Sequence, residues 1–184
     1  MQGWGATHPA SARASGHIVI GVKAGALVNG LADPACDRAP AAYSWIMAVR
    51  DEARAQKEFS ERYDRAVLPA AVAVERAALG SDHGASGFTT LAQADRLATE
   101  LRVGPGDRVL DIGSGCGWPG LRVAQQTGCT VVLSDLTVAG VRRGVARARS
   151  DGMVERISGI AASARYLPFR PENFDAMVHT DVLC

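Results

Sequence analysis

The sequence lacks an excess of either charge, clustered cysteines and a large aromatic fraction. Lysine and arginine number 20 and aspartate and glutamate 19, and this near balance gives no argument for a nucleic acid or an anionic membrane as a partner. The four cysteines, Cys36, Cys116, Cys129 and Cys184, include no Cys-x-x-Cys pair and lie near no histidine cluster. The sequence therefore predicts neither a metal site nor a disulfide framework, and we interpret the cysteines as free thiols in a reducing cytosol.

A long apolar run is also absent. A transmembrane helix needs roughly 20 consecutive apolar residues, whereas the nearest run, residues 18–32, is interrupted by Lys23 and Asn29. With Arg13 ahead of it, this run has some features of a signal peptide, but Lys23 and the cytosolic character of the later sequence argue against that function. We expect a cytoplasmic protein that does not contact the membrane.

The length of 184 residues is enough for one domain with a hydrophobic core and too short for two domains of ordinary size. Residues 1–42 are rich in Ala, Gly, Pro and Ser and show no sustained period, so we expect a poorly ordered extension with one short strand at 17–22. Residues 43–90 predict a helical cap, in which Pro69 separates helices over 44–67 and 70–79. Residues 91–184 predict the main domain.

Strands and helices alternate in this main domain. After a helix capped by Thr89 or Thr90, strands are predicted at 108–112, 130–134, 156–160 and 174–179, with helices at 120–127 and 137–150 between the first three. Such alternation is typical of an α/β fold with a Rossmann-like, doubly wound parallel sheet. Right-handed crossovers would cover both faces of that sheet with helices.

The most informative stretch is residues 109–120, which read Val-Leu-Asp-Ile-Gly-Ser-Gly-Cys-Gly-Trp-Pro-Gly. An apolar strand with Asp111 near its end runs into glycines at alternate positions and then into a helix. Glycine lets the backbone adopt positive φ and lets a ligand approach the main chain closely. The helix that follows presents its amide groups and its positive dipole end to an anionic ligand group.

These residues resemble the first motif of the class I S-adenosylmethionine (SAM)-dependent methyltransferases, Asp/Glu-x-Gly-x-Gly-x-Gly after a strand. The glycines alone also fit the dinucleotide fingerprint Gly-x-Gly-x-x-Gly, through Gly115, Gly117 and Gly120. Asp135, at the end of the next strand, suits ribose hydroxyls in both families. An exposed acidic residue that caps the following helix is the structural alternative for Asp135.

Two features favour the methyltransferases over the dinucleotide-binding enzymes. Asp111 precedes the first glycine, where a carboxylate could accept a hydrogen bond from the ammonium group of SAM, directly or through water, but would repel a pyrophosphate. Residues 164–169, Ala-Arg-Tyr-Leu-Pro-Phe, followed by Phe174 and Asp175, resemble a methyltransferase signature. The resemblance implies SAM as the cofactor, held by Asp111, Ile112, Gly113, Ser114, Gly115, Gly117, Asp135, Leu136, Ser163 and Ala164.

The chain departs from the family pattern at Ser163. The family often has Asp before the Ala of this signature, where it accepts a hydrogen bond from the adenine amino group. A hydroxyl can accept the same bond, but a neutral acceptor is weaker than a carboxylate. Adenine binding is therefore expected to rest on Ser163, the backbone N–H of Ala164 and apolar packing by Leu136.

The resemblance implies methyl transfer from SAM to a small-molecule acceptor by in-line displacement, so that the protein mainly aligns donor and acceptor and excludes water. His179, at the end of the last predicted strand, is the candidate general base where an acceptor must lose a proton; a histidine packed at a strand end is the alternative. Two other functions remain open, a nicotinamide-dependent oxidoreductase and a non-catalytic protein that binds SAM. The family commonly recognises substrate through such a cap, where Tyr63, His83, Phe88 and Thr89 are candidate wall residues; packing within the core or the cap is the favoured alternative for Tyr63 and Phe88.

The resemblance covers residues 59–184 and ends after the fourth of the seven strands that a complete fold of this family has. We therefore expect a truncated product, a fragment, or a chain completed by another. An uncovered sheet edge invites pairing, so a homodimer or a partner chain is expected to cover it.

Overall fold

The computed structural model describes residues 22–23, 41–84 and 87–180. In this part of the chain no helix is both long enough and apolar enough to cross a bilayer. The elements, in chain order, are β1 (Val22–Lys23), α1 (Ala41–Ala66), α2 (Pro69–Leu79), α3 (Leu91–Glu100), β2 (Arg108–Ile112), α4 (Gly120–Thr127), β3 (Thr130–Asp135), α5 (Val138–Ser150), β4 (Ile157–Ala161) and β5 (Ala176–His179).

The strands form one sheet in the order β1-β5-β2-β3-β4. β2 pairs in parallel with both β3 and β5, and β4 pairs in parallel with β3, whereas β1 pairs antiparallel with β5 at the edge. The prediction of a Rossmann-like α/β fold with a parallel sheet is therefore confirmed. The chain leaves β2 toward β3 on one side and returns to its other side as β5, which is the reversal of strand order where such sheets bind ligands.

The helices α3, α4 and α5 lie on one face of the sheet, whereas the sequence led us to expect helices on both. Leu97 of α3 and Leu121 of α4 share a core cluster with Val109, Val131 and Val178, which point to the same face of their strands. An added Cβ on Gly159 of β4, on that same face, would meet Val141 and Val145 of α5. Two successive right-handed crossovers in one direction put both helices on one face, and the described residues between β4 and β5 contain no helix.

The predicted helix boundaries in the cap agree closely with the structure. α1 ends at Ala66, and Pro69 begins α2, where its missing N–H and fixed φ are tolerated. Thr90, one of the two predicted caps, is the N-cap of α3: its hydroxyl accepts from Gln93 N, and the Gln93 side chain accepts from Thr90 N. This reciprocal pair satisfies two amide groups that a helix start leaves without partners.

Some predictions concern residues outside the part of the chain that the structure describes. Most of the expected extension, residues 1–21 and 24–40, lies outside the described residues, and so does the body of the strand predicted at 17–22. The division into an extension at 1–42, a cap at 43–90 and a main domain at 91–184 stays a prediction. The last strand begins at Ala176, two residues later than expected.

Candidate functional site

The turn after β2 is held closely against β3. Gly113 N and Ser114 N both donate to Ser134 O, at 2.7 Å and 3.0 Å, and Gly117 N donates to Ser114 O. Gly115 and Gly117 have φ of 52° and 96°, so the turn needs residues without a Cβ at these positions. The sequence thus builds a narrow backbone turn at the carboxyl end of the central strand.

Asp111 lies beneath this turn and holds the beginning of α4. Its Oδ2 accepts from Gly120 N at 2.9 Å, so the first amide of α4 is already paired within the protein and is not available to a ligand. The residue is 1% exposed, and its Oδ1 has no partner. Burial raises the pKa of Asp111 to about 7. The hydrogen bond from Gly120 N lowers this pKa, and the nearby charge of Asp135 raises it further.

Asp135 holds the same turn from the neighbouring strand. Its Oδ2 accepts from Gly115 N at 2.9 Å, and its Oδ1 accepts from both the backbone N–H and the hydroxyl of Thr137, each at 2.8 Å. The Thr137 hydroxyl in turn accepts from Gly140 N and caps α5. Asp135 is buried rather than exposed, so the structural alternative of an exposed capping residue is wrong.

The two carboxylates lie on the same face of the sheet. Asp111 pairs with Leu133 in the parallel register, and Asp135 follows Leu133 by two residues, so all three side chains point the same way. Asp111 and Asp135 therefore hold two ends of one glycine segment from adjacent strand ends. A ligand that contacts both must cross the ends of β2 and β3.

The helix α1 lies over this crevice. Gln56 Nε2 donates to Leu136 O at 3.3 Å, and Tyr63 packs on the turn, since an added Cβ on Gly115 would be 2.9 Å from its phenol oxygen. Glu52 Oε1 accepts from the Ser163 hydroxyl at 2.7 Å. Glu52, Gln56 and Tyr63 fall within about 40° on one face of an α-helix, so one helical face covers the site along its length.

Ser163 and Ala164 follow β4 and lie near Asp135. Ala162 N donates to Asp135 O at 2.8 Å, which fixes this segment next to the ribose-binding candidate. Ser163 is partly buried, and its hydroxyl also accepts from Arg165 N at 3.1 Å. Ala164 is exposed. The same signature ends at Asp175, whose Oδ2 accepts from Arg108 N at the opposite edge of the sheet, so that residue aligns strands and does not line the site.

His179 lies at the carboxyl end of β5, paired with Ile112. Both side chains therefore point to the face opposite Asp111. Its Nδ1 is buried without a partner, and burial lowers its pKa below the ordinary value of 6.5. The structure brings His179 to the predicted edge of the sheet but not to the face that carries the two carboxylates.

The cap residues differ in their surroundings. Tyr63 and Thr89 are buried, whereas Phe88 is 67% exposed. The His83 ring lies 4.7 Å from the Trp118 ring, and Trp118 Nε1 donates to Thr89 O at 2.7 Å. His83 and Trp118 line a cavity of about 260 Å³ with Arg76 and Arg122, beside the crevice rather than in it.

The arginines of α5 connect it to the cap. Arg143 pairs with Asp64 of α1 at 2.6 Å, and Arg147 pairs with Asp82 at 3.1 Å and with Asp151 at 2.9 Å. Arg142 and Arg149 of the same helix are exposed.

Three residues of the site escaped the sequence analysis: Glu52, Gln56 and Thr137. Thr137 could have been recognised from the Asp-x-Thr spacing, which favours a turn bonded to its own backbone. Glu52 and Gln56 carried no such signal, because their partners lie far along the chain.

A family model described as a methyltransferase domain matches residues 109–184. Its match begins in β2 and includes the glycine turn, Asp135 and the segment after β4. The matched part therefore includes the strand ends and the glycine turn of the crevice, but not α1, which covers it.

Known proteins of three organisms are similar in sequence to part of the chain. The methyltransferase GfsG of Streptomyces halstedii is 32% identical over 65% of this chain and 45% of its own length, and sterol methyltransferase-like 1 of Botryococcus braunii is 29% identical over 48% and 23%. A SAM-dependent methyltransferase from Geobacter sulfurreducens, solved with S-adenosyl-L-homocysteine, is 31% identical over 41% of this chain and 30% of its own, with a TM-score of 0.38. The chain spans less than half the length of the two curated relatives.

Proposed function

We propose that this chain, whose residues 109–184 match a methyltransferase-domain model, is a class I SAM-dependent methyltransferase that binds SAM across the ends of β2 and β3. We further propose that it transfers the methyl group to a small-molecule acceptor. The family model supports the cofactor class, and the small-molecule acceptor is supported by the sterol methyltransferase-like relative.

One observation carries this proposal. Asp111 and Asp135 lie on the same face of adjacent strand ends and bind the two ends of one glycine segment, at Gly120 N and Gly115 N. A SAM molecule has an ammonium group at one end and ribose hydroxyls farther along. The two carboxylates match that order, because ammonium and hydroxyl groups are both donors.

The unpaired polar atoms of the site fit such a cofactor. Asp111 Oδ1 is a buried acceptor without a partner, which suits an ammonium group, directly or through water. Asp135 accepts three hydrogen bonds, and a carboxylate has about four acceptor positions. We propose that ribose binding uses the remaining position and competes for one of the other three, and that Leu136, Ser163 and Ala164 contact the base.

SAM supplies, when bound, a methyl group activated by its positively charged sulfur. The contribution of the protein is then to orient the two reactants and to exclude water. Ile112, Gly113, Ser114 and Gly117 form the backbone wall, and α1 covers it through Gln56 and Tyr63. We propose that His179, which is neutral at neutral pH because burial lowers its pKa, accepts the proton of an acceptor that must lose one.

We propose a cytoplasmic setting and a second chain, either a copy of this one or another protein, at the sheet edge where β1 pairs with only part of β5. The setting is supported by Cys116 and Cys129, which are buried free thiols. Support for a second chain comes from the short β1, whose two described residues pair with Ala176 and Met177 but with neither Val178 nor His179 of β5.

Side-by-side calorimetric titration of SAM, S-adenosyl-L-homocysteine and NADH tests the cofactor. We expect the first two to bind and NADH not to bind, and Asp135→Ala to weaken binding more than Ser163→Ala. Transfer of labelled methyl from SAM into a cell extract then tests activity. Tighter binding of NADH than of SAM would favour the oxidoreductase. Binding of S-adenosyl-L-homocysteine without methyl transfer to any acceptor would favour the non-catalytic binding protein.

The role of His179 has its own test. In His179→Ala the pH–rate profile should lose its acidic limb, since no base remains to be protonated, while affinity for S-adenosyl-L-homocysteine stays unchanged. An unchanged profile would leave His179 as a packed histidine.

A further inference from the structure

The contact between α1 and the segment after β4 places the carboxylate of Glu52 beside residue 163, a position where this chain has Ser instead of the Asp that the family often has. Ser163 stands where related sequences often have Asp, yet its hydroxyl donates to Glu52 Oε1 at 2.7 Å. The carboxylate of Glu52 therefore lies one hydrogen bond beyond the Ser163 hydroxyl. Arg165 Nη1, 3.6 Å from Glu52 Oε1, adds a cationic neighbour on the same segment.

The Ser163 hydroxyl is already committed. It donates its proton to Glu52 and accepts from Arg165 N at 3.1 Å, which leaves one lone pair. A neutral oxygen that already accepts one bond is a poor sole acceptor for an amino group. Glu52 is stronger, because hydrogen bonds to an ionised acceptor are roughly twice as strong as neutral ones.

The position of Glu52 along α1 matches the base end of a nucleoside. Tyr63 of α1 contacts Gly115, and Gln56 bonds Leu136 O, next to Asp135. Glu52 lies about 16 Å along the helix from Tyr63, on the same face. One helical face thus follows the crevice from the glycine turn, past the ribose candidate, to the segment where a base would lie.

We propose that Glu52 is the acceptor for the exocyclic amino group of the cofactor's adenine, oriented by Ser163. The inference rests on the proposed function, because it assumes that a SAM nucleoside occupies the crevice. Adenine recognition then depends on α1, and the helix that covers the site also reads the base. Ser163 is a positioning residue in this arrangement.

The test compares S-adenosyl-L-homocysteine with S-inosyl-L-homocysteine, in which a carbonyl oxygen replaces the amino group. By calorimetric titration, the unmodified chain should prefer the adenosyl compound by about 10-fold or more, because the carbonyl loses a charged partner and faces the carboxylate. Glu52→Gln should reduce this preference to about threefold or less, since an amide can donate as well as accept.

Two variants complete the design. Glu61→Gln, an equivalent change at an exposed position of α1, should keep the full preference. Glu52→Ala combined with Ser163→Asp should restore it, because the carboxylate returns on the β4 side. Ser163→Asp alone should weaken binding, since it places two carboxylates together.

The preference ratio separates base recognition from a merely structural role. If Glu52 only anchors α1, Glu52→Gln will lower affinity for both compounds equally and leave the ratio unchanged, which overturns the inference while the cofactor assignment survives. If the unmodified chain binds neither compound, the proposed function itself fails, and the inference fails with it.

Discussion

Asp111 carries a buried carboxyl group whose negative charge lacks a full set of partners. Gly120 N supplies one hydrogen bond, and Oδ1 has none. Burial therefore favours the protonated form and raises the pKa of Asp111 to about 7, far above the ordinary 3.8. A nearby ammonium group would reverse that preference, so the group couples protonation to ligand binding.

The raised pKa predicts how stability changes with pH. Between the ordinary carboxyl value and about 7 the folded chain binds more protons at Asp111 than the unfolded chain, so the free energy of unfolding falls as pH rises, by up to about 1.4 kcal/mol per pH unit. His83 and His179, whose pKa values are lowered, act in the opposite direction below 6.5. In Asp111→Asn, urea unfolding at a series of pH values should no longer show the decrease in the free energy of unfolding that Asp111 causes, whereas the histidine contributions should remain.

The control for that measurement is the difference in the free energy of unfolding between Asp111→Asn and the unmodified chain at each pH. The histidine contributions are common to both and cancel, so the stability of Asp111→Asn relative to the unmodified chain should increase from about pH 5 to about pH 7. A constant difference over this range would mean that Asp111 is not the titrating group.

A second prediction concerns binding. If the ammonium of S-adenosyl-L-homocysteine pairs with Asp111, the affinity should rise as pH increases toward about 7, and binding should release a proton. Calorimetry in two buffers of different ionisation enthalpy measures this release. In Asp111→Asn the pH dependence and the proton release should both be reduced; equal release in both proteins would rule out the pairing.

Residue types at strand ends were predictable from the sequence, but their bonds were not. The glycine motif and the strand pattern identified Asp111 and Asp135, because acidic residues near the ends of two adjacent parallel strands meet at one edge of the sheet. The sequence did not show that Asp135 would accept from Gly115 N and Thr137, or that Glu52 would reach Ser163. The contact of Glu52 with Ser163 depends on how α1 docks, which no local pattern encodes, and the bond from Gly115 N to Asp135 depends on how the glycine turn folds against β3.

At the scale of elements, α5 approaches the glycine turn unusually closely. An added Cβ on Gly140 would be 2.8 Å from Gly115 O, a backbone atom that cannot easily move. An added Cβ on Gly144 would be 2.7 Å from Leu133 Cδ1 and 3.2 Å from the Cys116 backbone. The two glycines let the helix pack directly on the turn that forms the crevice.

This packing predicts an unusual effect of alanine. Inside an exposed helix, Gly→Ala stabilises by about 1 kcal/mol, but in Gly140→Ala the clash with Gly115 O should dominate and destabilise by about 1–3 kcal/mol. Affinity for S-adenosyl-L-homocysteine should fall as well, because the turn is displaced. Thermal unfolding and calorimetric titration measure the two effects.

Gly104→Ala is the matched control, since nothing lies within 4 Å of its added Cβ. Its stability and affinity should change little. A stabilised Gly140→Ala with unchanged affinity would show that α5 does not press on the turn.

The elements themselves were largely predictable because their limits are local. The bounds of β2 and α4 agree with the sequence prediction, and Pro69 and Thr90 mark helix starts through backbone chemistry. The face on which the helices lie was not predictable from the alternation of strands and helices. That depended on strand order, and the sequence did not show that β5 would return to the far side of β2.

At the scale of the whole molecule, the crevice lies between two parts of the chain with different roles. The sheet supplies the carboxylates and the glycine turn, and α1 supplies a cover fixed by Glu52, Gln56, Tyr63 and the ion pair between Asp64 and Arg143. A ligand in the crevice would contact both parts. Its binding should therefore stabilise α1 together with the strand ends.

Hydrogen–deuterium exchange with and without saturating S-adenosyl-L-homocysteine tests this location most directly. We predict slower exchange at 113–117, 135–137, 162–164 and along α1, and no change in the solvent-facing half of α3. Slower exchange confined to the cavity beside His83 and Trp118, or no change at the glycine turn in a ligand-saturated sample, would contradict the proposal that SAM binds across the ends of β2 and β3.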